Sequence, residues 1–424
     1  TNPLPPTSVA GNIEALNLWA TLHHLSGIAQ LHNGSRSVQN GANASVAYYF
    51  ERVSQETTFE PRVETFPLPV AHLKSSSLSM DEPVATTYTF NEDYSVRQGA
   101  GTVVKAEVVY LPSGGCDVQG VTGKIAILIG DTRDCGGMDT QRSNVLAAGA
   151  AALLYYYEDQ DLPQLKDPQG DRTAPILFVS QPLGEEIIQF VEGNGPVTMS
   201  LAVDSAFSEV ITTNLIVETP QAGGDPNNVV VVGAHIDSVP AGPGINDDGS
   251  GSASTLEMLI QYHKIYVEQG RVPVNRARFA FFGAEELGLL GSKAYVQRTI
   301  ADNTSWAMVA MLDFDMFASP NGIHGIYNAS SGAAPHSTVF GNKRVESLFT
   351  HCFADVMHVN VSYGAFDGRS DYEHFLEASI CAGGIYTGAE VIKTMEERVA
   401  FGGLANAPYD PCYHQACDNL DNID

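Results

Sequence analysis

The chain has 424 residues, of which 49 are Asp or Glu and 22 are Lys or Arg, so its formal net charge is −27. Binding of nucleic acid requires a basic face that releases counterions from phosphate, and the few basic residues here are scattered, which argues against such a partner. The length exceeds the roughly 100–200 residues of a usual domain, and no apolar run approaches the roughly 18 residues that span a bilayer. We therefore expect two domains and no membrane partner.

The start of the sequence favours an exported protein. It begins TNPLPPTSV, without the basic and apolar segments of a leader, which we interpret as a leader already removed. Six cysteines and five N-x-[ST] sequons favour the same interpretation. The predicted location is extracellular. The candidate glycosylation sites are Asn33, Asn43, Asn303, Asn328 and Asn360.

The first half of the chain changes character once. It opens with patterns that predict helices over 12–27 and around 47–53, followed by a strand over 59–68. From about 83 to 207, short strands bounded by Gly and Pro turns predict a small mixed β domain, with a helix over 144–157.

This small domain is expected to be an insert in a larger one. We place the insert at 85–205 and the main domain at 1–84 with 206–424. Within the insert, Cys116 and Cys135 flank a strand–turn–strand segment and are predicted to form a disulfide.

After residue 206, apolar strands alternate with amphipathic helices, which is typical of a doubly wound α/β fold. We predict a mixed, mainly parallel sheet with helices on both faces. Because ligand sites of such sheets lie at the carboxyl ends of the strands, the polar residues that follow each strand are the functional candidates. The strands are NLIVETP, NVVVVGAHID, RARFAFFGAEE, AMVAMLDFDM and SICAGGIYT.

The second of these strands ends in His235 and Asp237, and a Gly-rich loop with Asp247 and Asp248 follows. Imidazole nitrogen and carboxylate oxygen are typical zinc ligands. Asp237 is placed to orient the second ring nitrogen of His235. Taken alone, the segment is more typical of a structural histidine and a helix-capping loop.

Acidic pairs follow the third strand and end the fourth. Glu285 and Glu286 would point to opposite sides of an extended segment, so one carboxylate could bind metal and the other act as general base. An isolated pair of this kind is more typical of an exposed helix start. Asp313 and Asp315 lie among apolar residues, where a carboxylate is costly unless it is paired or metal-bound. Asp315 is nearer the carboxyl end of the strand, so it is the predicted ligand.

The last candidate segment is DPCYHQACDN. It places Tyr413 and His414 between Cys412 and Cys417. A disulfide across so short a segment would fix both side chains, and the alternative, a surface disulfide hairpin without a role in the site, is the weaker interpretation here.

Four such clusters in one predicted sheet are poorly explained by coincidence. The charges also balance, since two Zn²⁺ contribute +4, a bridging hydroxide contributes −1, and the carboxylates of Asp247, Glu286 and Asp315 contribute −3. His235 and His414 would then be neutral ligands, one for each metal. The sequence therefore predicts a site for two zinc ions.

Six segments resemble, in order and spacing, those of the secreted co-catalytic dizinc aminopeptidases, particularly the fungal leucine aminopeptidases with a protease-associated (PA) insert. The segments are GAHIDSVPAGPGINDDGSG, FFGAEELGLLGS, LDFDM, GRSDYEHF, YTGAE and DPCYHQACDN. The resemblance is strong over 206–424 and looser over the N-terminal helices and the insert. It implies a zinc exopeptidase-like fold, a PA-like insert and hydrolysis of apolar, Leu-like residues from the N-termini of peptides.

The resemblance also implies how the ligands are shared. His235 and Asp315 would hold one zinc ion, Glu286 and His414 would hold the other, and Asp247 would bridge the two. In the same family a metal-bridged hydroxide attacks the peptide carbonyl.

Further roles follow from the same resemblance. Glu285 would be the general acid/base, and Tyr413 would donate a hydrogen bond to the tetrahedral oxyanion. Glu285 and Asp315 are candidates to bind the free α-amine of the substrate, together with the backbone of Arg369. The apolar pocket for the first residue is expected to include Met316, Gly368 and Tyr386.

Three alternatives fit the sequence less well than an aminopeptidase. A carboxypeptidase would need a basic cluster for the terminal carboxylate, and the site segments are poor in Lys and Arg. Glutaminyl cyclisation is associated with a single zinc ion, and a receptor-like binding protein would have lost ligands that are present here.

We expect a monomer and, by elimination, a disulfide between Cys352 and Cys381. The family usually continues into a further helix where this sequence stops at Asp424, but all predicted ligands precede that point.

Overall fold

The computed structural model describes residues 8–130, 138–157, 174–193, 195–332 and 334–424. Two compact units are present: Thr1–Pro67 with Ile211–Asp424, and Leu68–Val210. The second unit extends beyond the predicted insert at both ends. The domain limits of 85 and 205 stay a prediction. None of the helices in the described ranges is long and apolar enough to cross a membrane.

The regular elements are numbered in chain order. The helices are α1 (Ala15–Leu31), α2 (Ala42–Glu56), α3 (Met138–Ala147), α4 (Gln181–Gly193), α5 (Gly251–His263), α6 (Leu290–Ala301), α7 (Val339–Thr350), α8 (Tyr372–Glu377) and α9 (Met395–Phe401). The strands are β1 (Pro61–Glu82), β2 (Thr86–Thr87), β3 (Tyr94–Gln98), β4 (Gly101–Tyr110), β5 (Ile125–Ile129), β6 (Ala152–Tyr156), β7 (Ile176–Val179), β8 (Thr198–Glu218), β9 (Asp225–His235), β10 (Asn275–Phe282), β11 (Met308–Phe314), β12 (Gly325–Gly332), β13 (Ser362–Phe366) and β14 (Ala382–Tyr386).

The sheet of the first unit has the strand order β13-β12-β14-β11-β9-β10-β8. The pairs β14–β11, β11–β9, β9–β10 and β12–β13 are parallel, whereas β12–β14 and β10–β8 are antiparallel. The predicted mixed, mainly parallel sheet is therefore confirmed.

Helices cover both faces of this sheet, and β10 shows why. Phe279 and Phe281 pack in the apolar cluster that includes residues of α1, α2 and α5. Ala280 and Phe282 pack in the cluster that includes residues of α6 and α8. Successive residues of a strand point to opposite faces, so a strand covered on both sides is apolar throughout.

Strand register brings the predicted site together. His235 ends β9 and pairs with Phe282, which ends β10. Phe314 ends β11 and pairs with Ile385 of β14. Because these strands are parallel, the residues that follow them lie along one edge of the sheet, as the doubly wound fold predicts.

The second unit has its own apolar core around β4, β5, β6 and β7, which pair in parallel, with β3 antiparallel to β7. The predicted helix over 144–157 is wrong in its second half, because α3 ends at Ala147 and residues 152–156 form the buried strand β6. A strand buried on both faces has no polar alternation, so periodicity alone does not separate it from a buried helix.

The cysteines divide into bonded and free. Cys412 and Cys417 form a disulfide, as predicted. Cys116 is disulfide-bonded, and its predicted partner Cys135 lies outside the described residues.

The pairing of Cys352 with Cys381 is wrong, since both thiols are free. Cys381 Sγ packs onto Gly341, where an added Cβ would lie 2.0 Å from the sulfur. Cys352 follows Gly341 by eleven residues in a continuous helical segment, a separation of about 16 Å at 1.5 Å per residue. A disulfide requires Cα atoms closer than about 7 Å.

The sequons lie mostly at the surface. Asn33, Asn43, Asn303 and Asn360 are exposed, and Asn328 is half-buried. Their glycosylation stays a prediction.

Candidate metal centre

Asp247 lies between two histidines at the carboxyl edge of the sheet. Its Oδ1 atom is 3.0 Å from His235 Nε2, and its Oδ2 atom is 3.1 Å from His414 Nε2. His235 and Asp247 are both buried. One carboxylate therefore joins imidazoles that are 179 residues apart in the sequence (414 − 235).

Both glutamates after β10 reach this cluster. Glu286 Oε2 lies 3.1 Å from His414 Nε2, and Glu285 Oε2 lies 3.9 Å from His235 Nε2. The segment is not extended as the sequence argument assumed, because Ala284 has φ 58° and a turn follows it. Glu285 thus lies toward the His235 end of the cluster and Glu286 toward the His414 end.

Asp315 completes the cluster from the end of β11. Its Oδ1 atom is 3.7 Å from His235 Nε2, and its Oδ2 atom accepts a hydrogen bond of 2.8 Å from Ser370 Oγ. Ser370 belongs to the GRSDYEHF segment, but the sequence argument gave it no role. Asp313 is also buried, and its burial raises its pKa well above the usual range.

The pKa values reflect the crowding of carboxylates. Burial would lower the pKa of His235, but the charges of Glu285 and Asp315 raise it well above its ordinary value. Burial would raise the pKa of Asp247, but hydrogen bonds from His235 and His414 lower it. Burial also raises the pKa of Glu285 well above the usual range. The cluster as a whole favours added positive charge.

The donor atoms fit a metal ion. Glu286 Oε1 and Asp315 Oδ1 are buried and have no hydrogen-bond partner, although buried oxygens usually have one. Zinc ligands at about 2.0–2.1 Å and tetrahedral angles lie about 3.3 Å apart, and the imidazole–carboxylate distances among the five predicted ligands run from 3.0 to 3.7 Å. Groups of ligand atoms within 4.8 Å of one another are His235–Asp248–Asp315, His235–Glu285–Glu286 and Asp247–Glu286–His414.

Asp237 makes contacts other than those predicted. His235 Nδ1 lies 3.1 Å from the backbone oxygen of Asp237 and 3.8 Å from its carboxylate. The carboxylate instead accepts a hydrogen bond of 3.1 Å from the backbone N–H of Glu285. Burial raises the pKa of Asp237 to about 6. The backbone carbonyl, rather than the side chain, therefore faces the His235 ring.

Two further aspartates anchor the ligand-bearing segments. Asp248 accepts hydrogen bonds from the backbone N–H groups of His235, Gly251 and Met316, at 2.8 to 3.2 Å. Asp418 accepts bonds from the backbone N–H groups of residues 246 and 247, at 2.9 and 3.0 Å. Sequence reasoning missed both roles, because a carboxylate bonded to backbone leaves no pattern of paired residue types.

Tyr413 lies beside His414, with their rings stacked at 3.8 Å between centroids. Arg369 donates a hydrogen bond of 3.1 Å to Tyr413 Oη and two bonds to the Glu390 carboxylate, at 2.8 and 3.2 Å. Burial raises the pKa of Tyr413 well above its ordinary value. The phenol therefore stays protonated, and its own hydrogen is available to an acceptor in the site.

The predicted pocket residues lie near these segments. Met316 is buried at φ 60° and accepts a hydrogen bond of 2.8 Å from Thr387 N. Gly368 donates a backbone hydrogen bond of 2.8 Å to the Tyr372 hydroxyl. The Tyr386 ring lies 5.1 Å from that of Tyr327. Their role as a pocket for a substrate side chain stays a prediction.

Comparisons with known proteins agree with this architecture. The model of peptidase family M28 matches residues 214–424, and that of the PA domain matches residues 104–187. An aminopeptidase of Pseudomonas aeruginosa is 33% identical over 440 residues, which cover 99% of this chain and 79% of that protein. Leucine aminopeptidase 2 of Arthroderma otae is 36% identical over 324 residues, covering 76% and 63%. The solved aminopeptidase from Aneurinibacillus sp. strain AM-1 has the same fold, with a TM-score of 0.76, 22% identity, and coverage of 99% and 92%.

Proposed function

Because the chain belongs to peptidase family M28 and carries a PA domain, we propose that it is an aminopeptidase with two zinc ions per chain. The observation that carries the proposal is the position of Asp247 between His235 and His414, with one carboxylate oxygen facing each ring. A carboxylate in this position is suited to bridge two cations.

The five donor side chains would divide between the two ions. His235 and Asp315 would hold one ion, Glu286 and His414 the other, and Asp247 would contact both. The distances of 3.7 Å from Asp315 to His235 and 3.1 Å from Glu286 to His414 support this division. When bound, zinc polarises a carbonyl and makes water a nucleophile near neutral pH.

Glu285 would move the protons. Its carboxylate is buried and faces the cluster without being among the five proposed ligands. It would accept a proton from the water that attacks the peptide carbonyl. As the C–N bond breaks, it would donate that proton to the leaving amine. The carboxylate is then restored for the next turnover.

Tyr413 would stabilise the oxyanion of the tetrahedral intermediate. Arg369 already donates to the phenol oxygen, so the phenol hydrogen is free to be donated to the substrate oxygen. Arg369 is itself held by Glu390, which fixes the position of the phenol.

The substrate would be a peptide with a free N-terminus. The carboxylate-rich cluster attracts an ammonium group, with Glu285, Asp315 and the Arg369 backbone as the proposed contacts. A carboxypeptidase would need a cation for the opposite terminus, and the nearby guanidinium of Arg369 is paired with Glu390. We also propose a Leu-like preference in a pocket of Met316, Gly368 and Tyr386. Such a pocket separates single methylenes by only about 1–3 kcal/mol.

The location and the oligomeric state of the protein are also part of the proposal. Exposed sequons and the Cys412–Cys417 disulfide support a secreted, extracellular glycoprotein. We propose that it acts as a monomer.

The test combines metal analysis with hydrolysis of Leu-p-nitroanilide and its N-acetylated form. We expect two zinc ions per chain and turnover of the free-amine substrate only. Fewer than two zinc ions at full occupancy contradicts the metal assignment. Equal rates on both substrates contradict the aminopeptidase assignment.

A further inference from the structure

We propose that Arg36 is a positioning residue of the metal centre. Its guanidinium holds the 236–244 loop, which connects His235 to the segment that carries Asp247, in the conformation that both ligands require. The inference deepens the proposed function and depends on it only for the identity of the metal ion.

Arg36 is completely buried, with 0% of its surface exposed. Its guanidinium donates hydrogen bonds to three backbone carbonyls of the loop. Nη1 bonds to Ile236 O at 2.6 Å, Nε bonds to Pro243 O at 2.8 Å, and Nη2 bonds to Gly244 O at 2.6 Å. The side chain therefore forms hydrogen bonds with the first residue of the loop and with its last two.

The loop needs such a partner. Residues 236–244 contain no strand or helix, so no regular ladder of hydrogen bonds serves their carbonyls. Gly244 O also accepts a bond of 3.0 Å from the backbone N–H of Gly249, whereas Ile236 O and Pro243 O accept from Arg36. A buried carbonyl without a partner is costly. Ile236 directly follows His235, and Gly244 precedes Asp247 by three residues. One guanidinium thus fixes the spacing between the two ends of the loop.

The middle of the loop is tied to the same segment. The backbone N–H of Arg36 donates a hydrogen bond of 3.0 Å to Ser238 Oγ, which itself donates a bond of 2.9 Å to Gly242 O. Hydrogen bonds from Arg36 and from the Ser238 hydroxyl therefore reach the beginning, the middle and the end of the loop.

The chemistry of the side chain matters. The described part of the chain places no carboxylate within 4.0 Å of the Arg36 guanidinium, so its role is to bond carbonyls rather than to form an ion pair. Three carbonyls in different directions match the planar fork of arginine. The single ammonium of lysine is a compact point donor and would replace only part of this set.

The 236–244 loop also packs against the segment that carries His414. An added Cβ at Gly242 would lie 2.0 Å from Gln415 O, so the loop backbone packs directly on the residue after His414. A displaced loop would therefore disturb the ligands of both proposed ions.

The experiment compares Arg36→Met and Arg36→Lys with the control Arg278→Met. Arg278 is a partly buried arginine that bonds to Tyr295 and pairs with Glu218 in the same unit, and the proposed site does not include it. The first measurement is zinc affinity, by competition with a chromophoric chelator. The second is hydrogen exchange of the 236–244 amides in metal-free protein. The third is the Tm of each variant.

We expect Arg36→Met to weaken zinc binding by about 10- to 100-fold, the usual effect of losing a group that supports metal ligands. Exchange in the loop should become faster. Arg36→Lys should fall between Arg36→Met and the wild type. Arg278→Met should lower the Tm and leave zinc affinity within twofold of wild type.

Zinc affinity within twofold of wild type in a folded Arg36→Met protein would overturn the inference, as would equal zinc loss in Arg278→Met at equal loss of Tm. If Arg36→Met does not fold, the decision falls to Arg36→Lys together with Ser238→Ala, and unchanged affinity in both contradicts the proposal. These readouts need no peptide turnover. A wild type that binds zinc but hydrolyses nothing refutes the proposed function alone, whereas a wild type that binds no zinc refutes both.

Discussion

The backbone N–H of Glu285 donates a hydrogen bond of 3.1 Å to the Asp237 carboxylate, although 48 residues separate them. Asp237 therefore fixes the proposed general base rather than the His235 ring, whose Nδ1 atom faces a backbone carbonyl. The two contacts give different expectations for a variant at position 237.

We expect Asp237→Ala to lower kcat for Leu-p-nitroanilide about 10- to 100-fold with zinc content retained, because Glu285 loses its anchor. Asp237→Asn keeps an acceptor oxygen and is the matched control, with a smaller loss. Steady-state kinetics and metal analysis check this. Loss of zinc in Asp237→Ala would instead mean that the carboxylate supports His235.

Substitutions of Glu285 and Glu286 should have different effects on kcat and on zinc content. Glu285→Gln should retain two zinc ions and lose at least about 100-fold in kcat, since general acid–base catalysis contributes about 10²–10⁴-fold. Glu286→Gln should bind less zinc, because a ligand is lost. Metal content by atomic absorption decides between them. Zinc loss in Glu285→Gln with full zinc in Glu286→Gln would exchange the two roles.

The Cys412–Cys417 disulfide should support metal binding by holding the segment that carries His414. Replacing both cysteines with alanine is expected to weaken zinc affinity about tenfold, since a more mobile His414 must be ordered on binding. Chelator competition measures this. Cys352→Ala removes a free, exposed thiol and should change nothing. Equal affinity in the double variant and the wild type would show that the loop holds its shape without the bond.

The titration of Glu373 should make the stability of the protein depend on pH. Burial, together with the charges of Glu377 and Asp367, raises the pKa of Glu373 from 4.5 to about 7. The folded state thus holds this proton more tightly than the unfolded state, and stability is lost as pH rises from about 4.5 through 7.

Glu373→Gln removes this penalty. In metal-free protein, we expect its Tm to exceed that of wild type by about 1–2 °C at pH 8, with a smaller difference at pH 5. The magnitude is modest because the side chain is only half-buried. The matched control is Glu60→Gln, the same substitution at an exposed position. A Glu373→Gln advantage that is larger at pH 5 than at pH 8 would contradict the sign of the shift.

Much of the main fold could be predicted because β9, β10 and β11 each contain an apolar stretch, VVVVGA, FAFF and MVAML, that polar residues follow. The parallel arrangement then brings His235, Glu286 and Asp315 to one edge without further information. The hydrophobic pattern was misleading at β6, where the apolar segment ALLYY was assigned to a helix. A short, fully buried segment has no polar alternation that distinguishes a strand from a helix.

The supporting contacts could not be predicted. Arg36 bonds to backbone carbonyls 200 to 208 residues away, and Asp418 bonds to backbone N–H groups. Every residue has the carbonyl and every residue but proline has the N–H, so these contacts select no particular sequence at the partner position. Only the three-dimensional structure shows which segments meet.

The anchoring of the Asp247 amide by Asp418 sets an order of events during synthesis. A nascent chain that has emerged only to residue 400 contains His235, Asp247, Glu286 and Asp315 but neither His414 nor Asp418. Such a chain holds an incomplete set of ligands on an unanchored segment. The full set of five proposed ligands is therefore present only after residue 414 has been added, and the anchor at Asp418 follows four residues later.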